Sequence, residues 1–414
     1  LSSMAYFNPF RPSYIRNPYA ALARLRAEEP VHYSEAVEAW VVTSFPESIS
    51  VLQDYETFSS NPVRAGSHVS QSLKYVQANS ALGNVERLAQ LDSVAHQRLR
   101  SIVSKGFVPK ALETLRLDIR NQLAALISEN VGRPERPLDV VQRLAAHIPE
   151  IVLGLQLGLV DEDREQVMTD TFALMQTNFS DVTIARKREA RAARDRMLQF
   201  LESAQNDGRV ESTSVLGLIA TKTSDSEDLS IEELLALVVD LAQAGSATTA
   251  ETIANGVLLL ATQPSMQHSL RGDPDRIPAA ISELLRFEPP QQVLVRWATK
   301  DAVLGAQAIH ENEAILILVG GANRDPAIYS DPEEFQLGRF DSGGGEPPSI
   351  AFGRGPHYCI GAPLAMLTLE EFFKEFLIST KSFALADEIS EATLPRSDDW
   401  FSRGPMQLPI VVDA

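Results

Sequence analysis

The chain has 414 residues, of which 44% are hydrophobic and 22% charged, and its formal net charge is −18. This composition favours a large folded core over disorder, and the negative charge argues against nucleic acid and anionic membranes as partners. One cysteine can form neither an internal disulfide nor a metal site that needs several thiolates.

The sequence predicts one domain without a membrane anchor. Residues 1–9 lack the basic region and apolar run of a signal peptide, and no stretch reaches the roughly 20 apolar residues of a membrane span. With the scarcity of cysteine, this predicts a cytoplasmic protein. The glycine-rich stretch at 341–348 is too short to separate domains. We therefore predict a single domain over residues 1–414, with a poorly ordered tail at about 1–8.

Helical periodicity predominates along the chain, and it predicts a mainly α protein. An opening helix near 18–28 is followed by a strand pair at 31–33 and 39–43, a helix near 46–54, and an irregular polar stretch at about 60–90. Further helices are predicted near 93–104, 110–130, 138–158, 161–178, 184–206, 276–288 and 362–379, and short strands at 293–298, 302–304 and 314–319.

The longest helix is predicted between Ser230 and Pro264. Ser230 and Glu233 form a capping box at its start, and about 32 residues at about 1.5 Å each would extend roughly 48 Å. Its centre, residues 244–250, contains a glycine and two consecutive threonines, which weaken a helix interior and predict a disruption there. A ligand pressing against this centre and close helix packing through small residues explain it equally well.

The most specific feature is the segment around the single cysteine, Phe-Gly-Arg-Gly-Pro-His-Tyr-Cys-Ile-Gly at residues 352–361. Its glycines permit sharp turns and close approach of the backbone to another group, and Pro363 suits the first turn of a helix. Cys359 therefore precedes a helix N-terminus, where the helix dipole stabilises a thiolate. A buried thiol, a nucleophile and an axial metal ligand are all open, and the surroundings favour the ligand.

This segment resembles the haem-binding loop of the cytochrome P450 family, Phe-Gly-x-Gly-x-His-x-Cys-x-Gly, at all six fixed positions. The resemblance implies haem b, with Cys359 as the axial thiolate and Phe352, Gly353 and Gly361 shaping the loop. It extends from about residue 8 to 411, with motifs in the family's order. It implies the cytochrome P450 fold, a mainly α triangular prism with a small β region, and haem between the central helix and the cysteine loop.

Four basic residues from separate segments are implied as partners of the haem propionates. His96 and Arg100 lie four apart on one helical face in a segment that resembles the family's propionate-binding stretch, and Arg296 and His357 match the other positions. Carboxylates inside a protein need cationic or N–H partners, which this set offers. For His96 and Arg100 alone, an ordinary solvated basic patch is the simpler interpretation.

Glu283 and Arg286 match the family's Glu-x-x-Arg and share one helical face. Taken alone, such a pair is an ordinary surface ion pair, worth about 0–1 kcal/mol. The resemblance implies a buried pair joined by a further arginine, and Arg339 fits that position. We predict that these three residues are structural and hold the cysteine loop in place.

The central helix departs from the family pattern Ala/Gly-Gly-x-Asp/Glu-Thr. Ala244, Gly245 and Thr248 match, with Thr249 beside them, but Ala247 stands where the acid is expected. The resemblance implies that the threonine hydroxyl helps to protonate dioxygen and that the acid relays protons from solvent. A general-acid link is therefore missing at residue 247.

Four explanations for the missing acid are open. Glu251, about one turn on, replaces it through water, or substrate hydroxyls supply the protons. Alternatively the enzyme uses peroxide, which arrives already reduced, or residue 247 is itself a substitution of a native acid.

The resemblance also implies a substrate pocket lined from several segments. The residues in those segments are mostly apolar, which predicts a small hydrophobic organic substrate, although each one taken singly also suits the core. They are Leu82, Phe172, Phe179, Leu241, Ala244, Val293, Leu294 and Phe401.

We predict a haem-thiolate monooxygenase that inserts one oxygen atom from O2 into its substrate, by hydroxylation or oxidative dealkylation. Electrons would come from a separate ferredoxin or flavodoxin with its reductase, docked on a basic patch. Scattered solvated charges are an equal alternative for that patch, which comprises Arg98, Lys105, Lys110 and Arg354. The alternative functions are a peroxide-driven oxygenase, a non-catalytic haem-thiolate sensor and, more remotely, a cysteine hydrolase using Cys359 and His357.

Overall fold

A computed structural model describes residues 6–413 apart from 63–79, 84, 86, 133–136, 179–181, 208–213, 221–228, 342–344, 388, 392 and 398. The chain divides into two compact units, each built from separated stretches. The first unit comprises Leu1–Ser59, Arg120–Ile148 and Thr248–Ala414, and the second comprises Ser60–Ile119 and Pro149–Ala247. One domain over residues 1–414 stays a prediction. Of the predicted tail at 1–8, residues 1–5 lie outside the described residues, and Phe7 is buried.

Helices form most of the described chain, as the periodicity predicts. In chain order they are α1 (Pro12–Arg16), α2 (Tyr19–Glu28), α3 (Phe45–Gln53), α4 (Ser93–Val103), α5 (Pro109–Val131), α6 (Ile148–Leu157), α7 (Asp161–Met175), α8 (Ile184–Asp207), α9 (Val215–Ala220), α10 (Ile231–Thr262), α11 (Pro264–Gly272), α12 (Ile277–Phe287), α13 (Val319–Ala322) and α14 (Ala362–Ile378). Among these described helices, none is both long enough and apolar enough to cross a membrane.

The strands are short and lie in the first unit. They are β1 (Val31–Ser34), β2 (Ala39–Val42), β3 (Phe58–Ser59), β4 (Leu138–Asp139), β5 (Val293–Ala298), β6 (Ala302–Leu304), β7 (Gln307–Ile309), β8 (Ala314–Leu318), β9 (Ser382–Leu385) and β10 (Pro409–Asp413). The largest sheet has the order β1-β2-β8-β5-β3, beside a three-stranded sheet β4-β10-β9 and the hairpin β6-β7.

The five-stranded sheet fixes the position of Arg296 through its central strand β8. All five residues of β8 are buried, as expected for a continuous apolar run that is covered on both faces. β8 runs parallel to β2 and antiparallel to β5, in a register that sets Arg296 opposite Ile315. The predicted strands at 31–33, 39–43, 293–298, 302–304 and 314–319 are therefore confirmed.

The predicted single helix at 138–158 is wrong. Leu138 and Asp139 form β4, which pairs with β10, and a π-helical turn at Val141–Ala145 precedes α6. The carboxylate of Asp139 accepts hydrogen bonds from the backbone N–H groups of Val141 and Leu408, both at 3.0 Å. Pairing with a strand far along the chain therefore outweighs the local helical pattern.

Helix α10 agrees in length with the prediction and begins with the predicted capping box. The Ser230 hydroxyl accepts from the N–H of Glu233 at 3.1 Å, and the Glu233 carboxylate accepts from the N–H of Ser230 at 2.8 Å. The predicted disruption at 244–250 is wrong, because the helix is continuous over 32 residues. The hydroxyls of Ser246 and Thr252 bond back to the carbonyls four residues earlier, which keeps these side chains compatible with the helix.

In the second unit, ion pairs hold the helices and connecting loops. Arg196 of α8 pairs with Asp170 of α7, whose side chain is 3% exposed. Arg87 pairs with Asp240 of α10, where burial raises the pKa of that carboxyl despite the guanidinium. The first pair therefore joins α8 to α7, and the second joins the first third of α10 to the segment that precedes α4.

In the first unit, Arg403 joins the segment at residues 399–404 to distant parts of the chain. Its guanidinium donates to the carbonyls of Ile15 and Arg16, at 3.0 and 3.1 Å, and pairs with Glu288. Its backbone N–H donates to Pro290 at 2.8 Å. We call residues 399–404 the late loop.

Candidate haem-thiolate site

Cys359 lies between a single 3₁₀ turn, Gly355–His357, and helix α14. Its N–H donates to the carbonyl of Phe352 at 2.9 Å, and its carbonyl accepts from Ala362 at 3.3 Å. The sulfur is therefore held at the N-terminus of a 17-residue helix, where unbonded N–H groups favour a thiolate. A Cβ on Gly361 would be 3.9 Å from this sulfur, an ordinary van der Waals separation, so Gly361 lies directly beside the sulfur.

The glycines at 353 and 355 make the turn of the cysteine loop. Both have positive φ, +69° and +71°, which only glycine adopts at little cost. A Cβ at residue 355 would lie 2.5 Å from the carbonyl oxygen of Leu52 at the end of α3. Glycine is therefore required at residue 355 by both the backbone angle and the available space.

Gly355→Ala is expected to lower the free energy of unfolding by about 1–3 kcal/mol, since left-handed φ and backbone crowding add. Thermal unfolding and the haem content of the purified protein would measure the effect. Gly345→Ala is the matched control, because its added Cβ meets nothing within 4 Å and its φ is not positive; that change should stay within about 0.5 kcal/mol. Equal effects of the two variants would contradict the explanation.

Of the four predicted propionate partners, two belong to the first unit, Arg296 and His357. Leu294 of β5 approaches the cysteine loop, with its Cδ1 atom 3.9 Å from where a Cβ on Gly353 would lie. Because alternate residues of a strand share a face, Arg296 emerges on the same face as Leu294. Arg296 is buried and its Nη1 donates to the carbonyl of Val295 at 2.7 Å. A buried guanidinium beside a thiolate loop suits an acidic group bound there.

His96 and Arg100 belong to helix α4 of the second unit. His96 is 3% exposed, and burial, followed by the charge of Arg100, lowers the pKa of its imidazole, while Asp92 opposes this. The interaction confirms that the two side chains are neighbours on one helical face. The predicted propionate partners therefore occur as one pair in each unit, and their binding role stays a prediction.

Glu283, Arg286 and Arg339 form a buried cluster, with side-chain exposures of 0%, 0% and 1%. Arg286 donates to both carboxylate oxygens of Glu283, at 2.7 and 2.8 Å, and Arg339 adds a third bond at 3.0 Å. The remaining N–H groups of Arg286 donate to backbone carbonyls, including that of Asn323 at 3.1 Å. The predicted contacts are therefore present.

A chain of hydrogen bonds links this cluster to the cysteine loop. Asn323, bound through its carbonyl to Arg286, accepts at its side-chain oxygen from the N–H of Ile350 at 2.9 Å. The carbonyl of Ile350 in turn accepts from Gly353 at 2.9 Å. This path supports the predicted role of Glu283, Arg286 and Arg339 in holding the loop. No role for Asn323 was predicted from the sequence.

The middle of α10 contains the segment in which proton delivery was predicted. Gly245, Ala247 and Ala244 are exposed and belong to the second unit, whereas Thr248 and Thr249 are half-buried and begin the first unit's part of the helix. The carbonyl of Thr248 accepts from the Thr252 hydroxyl at 2.7 Å. Exposed small residues in the centre of a long helix leave its backbone accessible to another group.

Glu251 lies against the late loop. Its carboxyl accepts a hydrogen bond from Ser402, while Oε2 is buried and has no partner among the described residues. Burial, the main cause, and the charge of Asp399 raise the pKa of Glu251 to about 7, against the bond from Ser402. Ser402 and Asp399 were missed from the sequence, because no motif or periodicity marks this loop.

The predicted pocket residues fall into two groups. Val293, Leu294 and Phe401 are in the first unit, where the carbonyl of Phe401 accepts from Gln292 at 2.8 Å and so holds the late loop at the start of β5. The second unit contributes buried Leu82, half-buried Phe172 and Leu241, and exposed Ala244. Phe179 lies outside the described residues. A shared pocket stays a prediction.

Of the four basic residues predicted to attract a redox partner, one has its charge neutralised by an ion pair. Arg98 pairs with Glu233, and Arg354 donates to the carbonyls of Pro348 and Gly353. Lys105 and Lys110 are exposed. The two lysines are therefore the stronger candidates for attracting an acidic partner.

Comparison with known proteins identifies the class of this fold and loop. The family model of cytochrome P450 matches residues 33–382. The chain therefore belongs to the cytochrome P450 family.

Among individual relatives, the chain is 30% identical over 379 residues to the biotin biosynthesis cytochrome P450 of Bacillus subtilis (strain 168), covering 90% of this chain and 92% of that one. Among solved structures, CalO2 superposes with a TM-score of 0.85 at 26% identity, covering 99% of both chains. P450BioI, solved in complex with an acyl carrier protein ligated to hexadec-9Z-enoic acid, superposes with a TM-score of 0.80 at 28% identity, covering 97% of this chain and 99% of that one.

Family membership confirms several predictions. The fold is the mainly α cytochrome P450 fold with a small β region, and the protein is a bacterial-type cytochrome P450 monooxygenase. Its cofactor is haem b with a cysteine thiolate ligand. The alternatives of a cysteine hydrolase and a non-catalytic sensor are therefore wrong.

The residues at the loop fit this cofactor. Among the described residues, no group of three or more His, Cys, Asp or Glu side chains can hold a metal ion. Cys359 offers a single thiolate, which suits an iron whose other ligands come from a porphyrin. Arg296 and His357 supply basic groups from the same unit, as two acidic propionates require.

Proposed function

We propose that the protein inserts one oxygen atom from O2 into a small hydrophobic organic molecule, by hydroxylation or oxidative dealkylation. The observation that carries the proposal is the position of Cys359, held by Phe352 at the N-terminus of α14 beside Gly361. When bound, haem supplies O2 activation, and donation from a thiolate favours cleavage of the O–O bond.

The protein's own residues divide this work. Cys359 is the iron ligand. Arg296 and His357, which belong to the first unit, bind a haem propionate. His96 and Arg100, which belong to the second unit, offer the same chemistry. The hydroxyl of Thr248 holds and passes a proton. The apolar side chains of Val293, Leu294 and Phe401 exclude water and favour a hydrophobic substrate.

The substrate and electron source are further parts of the proposal. We infer a separate ferredoxin or flavodoxin with its reductase, attracted by Lys105 and Lys110, and a cytoplasmic location. Because P450BioI has been solved with a carrier-bound C16 acyl chain, fatty acids and carrier-bound acyl groups belong among the compounds to be tried.

The test is a screen of haem-loaded protein for compounds that shift the Soret band, followed by product analysis with ¹⁸O2, NAD(P)H, ferredoxin or flavodoxin, and reductase. We expect one labelled oxygen in the product. Failure of every band-shifting compound to increase O2 consumption or yield oxygenated product would overturn the proposal.

A second candidate is a peroxide-driven oxygenase, which Ala247 favours because it removes the usual proton-relaying acid. The same compounds incubated with hydrogen peroxide separate the two candidates. Product with peroxide, and none with any electron-transfer partner, would establish the second.

A further inference from the structure

Glu251 is a buried acid one turn beyond Thr248. Residues three apart on a helix share a face, so the carboxyl of Glu251 and the hydroxyl of Thr248 are on the same side of α10. The late loop packs directly against Glu251, since a Cβ on Gly404 would lie 2.7 Å from its Cγ atom. Within the first unit, Glu251 therefore shares a helix face with Thr248 and contacts the late loop.

The carboxyl of Glu251 is suited to carrying a proton. Ser402 provides one hydrogen bond, while Oε2 is buried with no partner among the described residues. A buried carboxylate with one unsatisfied oxygen costs more free energy than the neutral acid, because the neutral acid carries no charge. Burial accordingly raises the pKa of Glu251 to about 7.

The charged groups near Glu251 also favour its protonated form. Asp399 of the late loop adds negative charge, which also favours protonated Glu251. Arg403 of the same loop is paired with Glu288 and donates to the carbonyls of Ile15 and Arg16. Its charge is therefore already compensated by groups other than Glu251.

We propose that Glu251 takes the place of the acid missing at residue 247, donating protons towards the Thr248 hydroxyl and regaining them from solvent at Asp399 through the Ser402 hydroxyl. The inference rests on the proposed function. In the overall reaction, substrate R–H, O2, two electrons from the redox partner and two protons give R–OH and water. Each proton that leaves Glu251 passes through Thr248, which accepts one and releases one, so that the side chains end unchanged.

Glu251→Gln is the central test, because glutamine keeps the shape but supplies no acidic proton. We expect product formed per NAD(P)H consumed to fall at least about tenfold, with hydrogen peroxide released instead. This is less than the 10²–10⁴-fold that a positioned general acid contributes, because water substitutes in part. Turnover driven by added hydrogen peroxide should be unchanged, since R–H and H2O2 give R–OH and water without an external proton.

Two independent readouts are the pH profile and, without turnover, difference infrared spectroscopy of the resting protein, in which the C=O stretch of protonated Glu251 should be absent from Glu251→Gln. Glu251 is protonated below its pKa of about 7 and ionised above it, so coupling in the wild type should fall as pH rises through about 7. Glu251→Gln should show no such step, and Glu251→Asp should restore part of the coupling. Glu391→Gln is the matched control, because its side chain is 65% exposed; it should behave as wild type.

The outcomes separate this inference from the proposed function. Wild-type coupling and an unchanged pH profile in Glu251→Gln would overturn the proton route and leave the monooxygenase intact. Equal loss of the O2-driven and peroxide-driven reactions would also overturn it, because Glu251 would then be purely structural. Absence of O2-driven turnover in the wild type would instead overturn the proposed function.

Discussion

Glu283→Ala is expected to lower the free energy of unfolding by about 3–5 kcal/mol, because it leaves buried Arg286 without its carboxylate partner and Arg339 with Glu346 alone. Arg286 and Arg339, at 0% and 1% exposure, have no route to solvent at their positions. With total stabilities of about 5–15 kcal/mol, a loss of this size removes a large share of the stability and brings a protein at the low end of that range close to its unfolding midpoint.

Urea unfolding and the yield of soluble, haem-containing protein would measure this effect. Glu113→Ala is the matched control, because Glu113 forms the same i,i+3 pair with Arg116 at 3.0 Å but is 66% exposed. We expect a loss below about 1 kcal/mol for that surface pair. Similar losses in both variants would show that burial of the Glu283 cluster does not determine its contribution.

Cys359→Ser should abolish the red-displaced absorbance that the reduced protein shows with carbon monoxide when sulfur is the ligand. Oxygenation should fall by more than about 100-fold, since losing even an outer-shell partner of a metal ligand costs 10–100-fold. Serine is close to cysteine in size, so the hydrogen bonds of residue 359 to Phe352 and Ala362 should persist and the fold should remain.

Tyr358→Phe is the control for this change, because it alters the neighbouring, 38% exposed residue and keeps its ring. It should retain the thiolate spectrum and the activity. A serine variant with an intact thiolate spectrum would show that Cys359 is not the ligand, whatever its activity.

The two Glu-x-x-Arg pairs illustrate how far the sequence predicts the site. Glu113–Arg116 and Glu283–Arg286 have the same spacing, yet one is exposed and the other fully buried. Only their order relative to other motifs distinguished them, since burial depends on what the rest of the chain places around each helix. The cysteine loop was predictable because one continuous segment contains the ligand, the turn glycines and the helix start.

Features that depend on distant contacts were missed. The carboxylate of Asp139 accepts a hydrogen bond from the N–H of Leu408, 269 residues away. This distant contact explains why the helix predicted at 138–158 was wrong. The Ser402 contact with Glu251 likewise joins positions about 150 residues apart. The predicted break at 244–250 was also wrong, because intrinsic propensity is a weak prior and the serine and threonine hydroxyls found acceptors within the helix.

Through Arg403, residues near the start of the chain affect the proposed proton supply. By binding the carbonyls of Ile15 and Arg16 and the carboxylate of Glu288, it holds the late loop over Glu251 from the opposite end of the sequence. A shortened enzyme starting after residue 18 would lose two of these acceptors, and Arg403 would hold the late loop less firmly over Glu251. On the proposed proton route, efficient use of electrons therefore also depends on Ile15 and Arg16, which take no part in the chemistry.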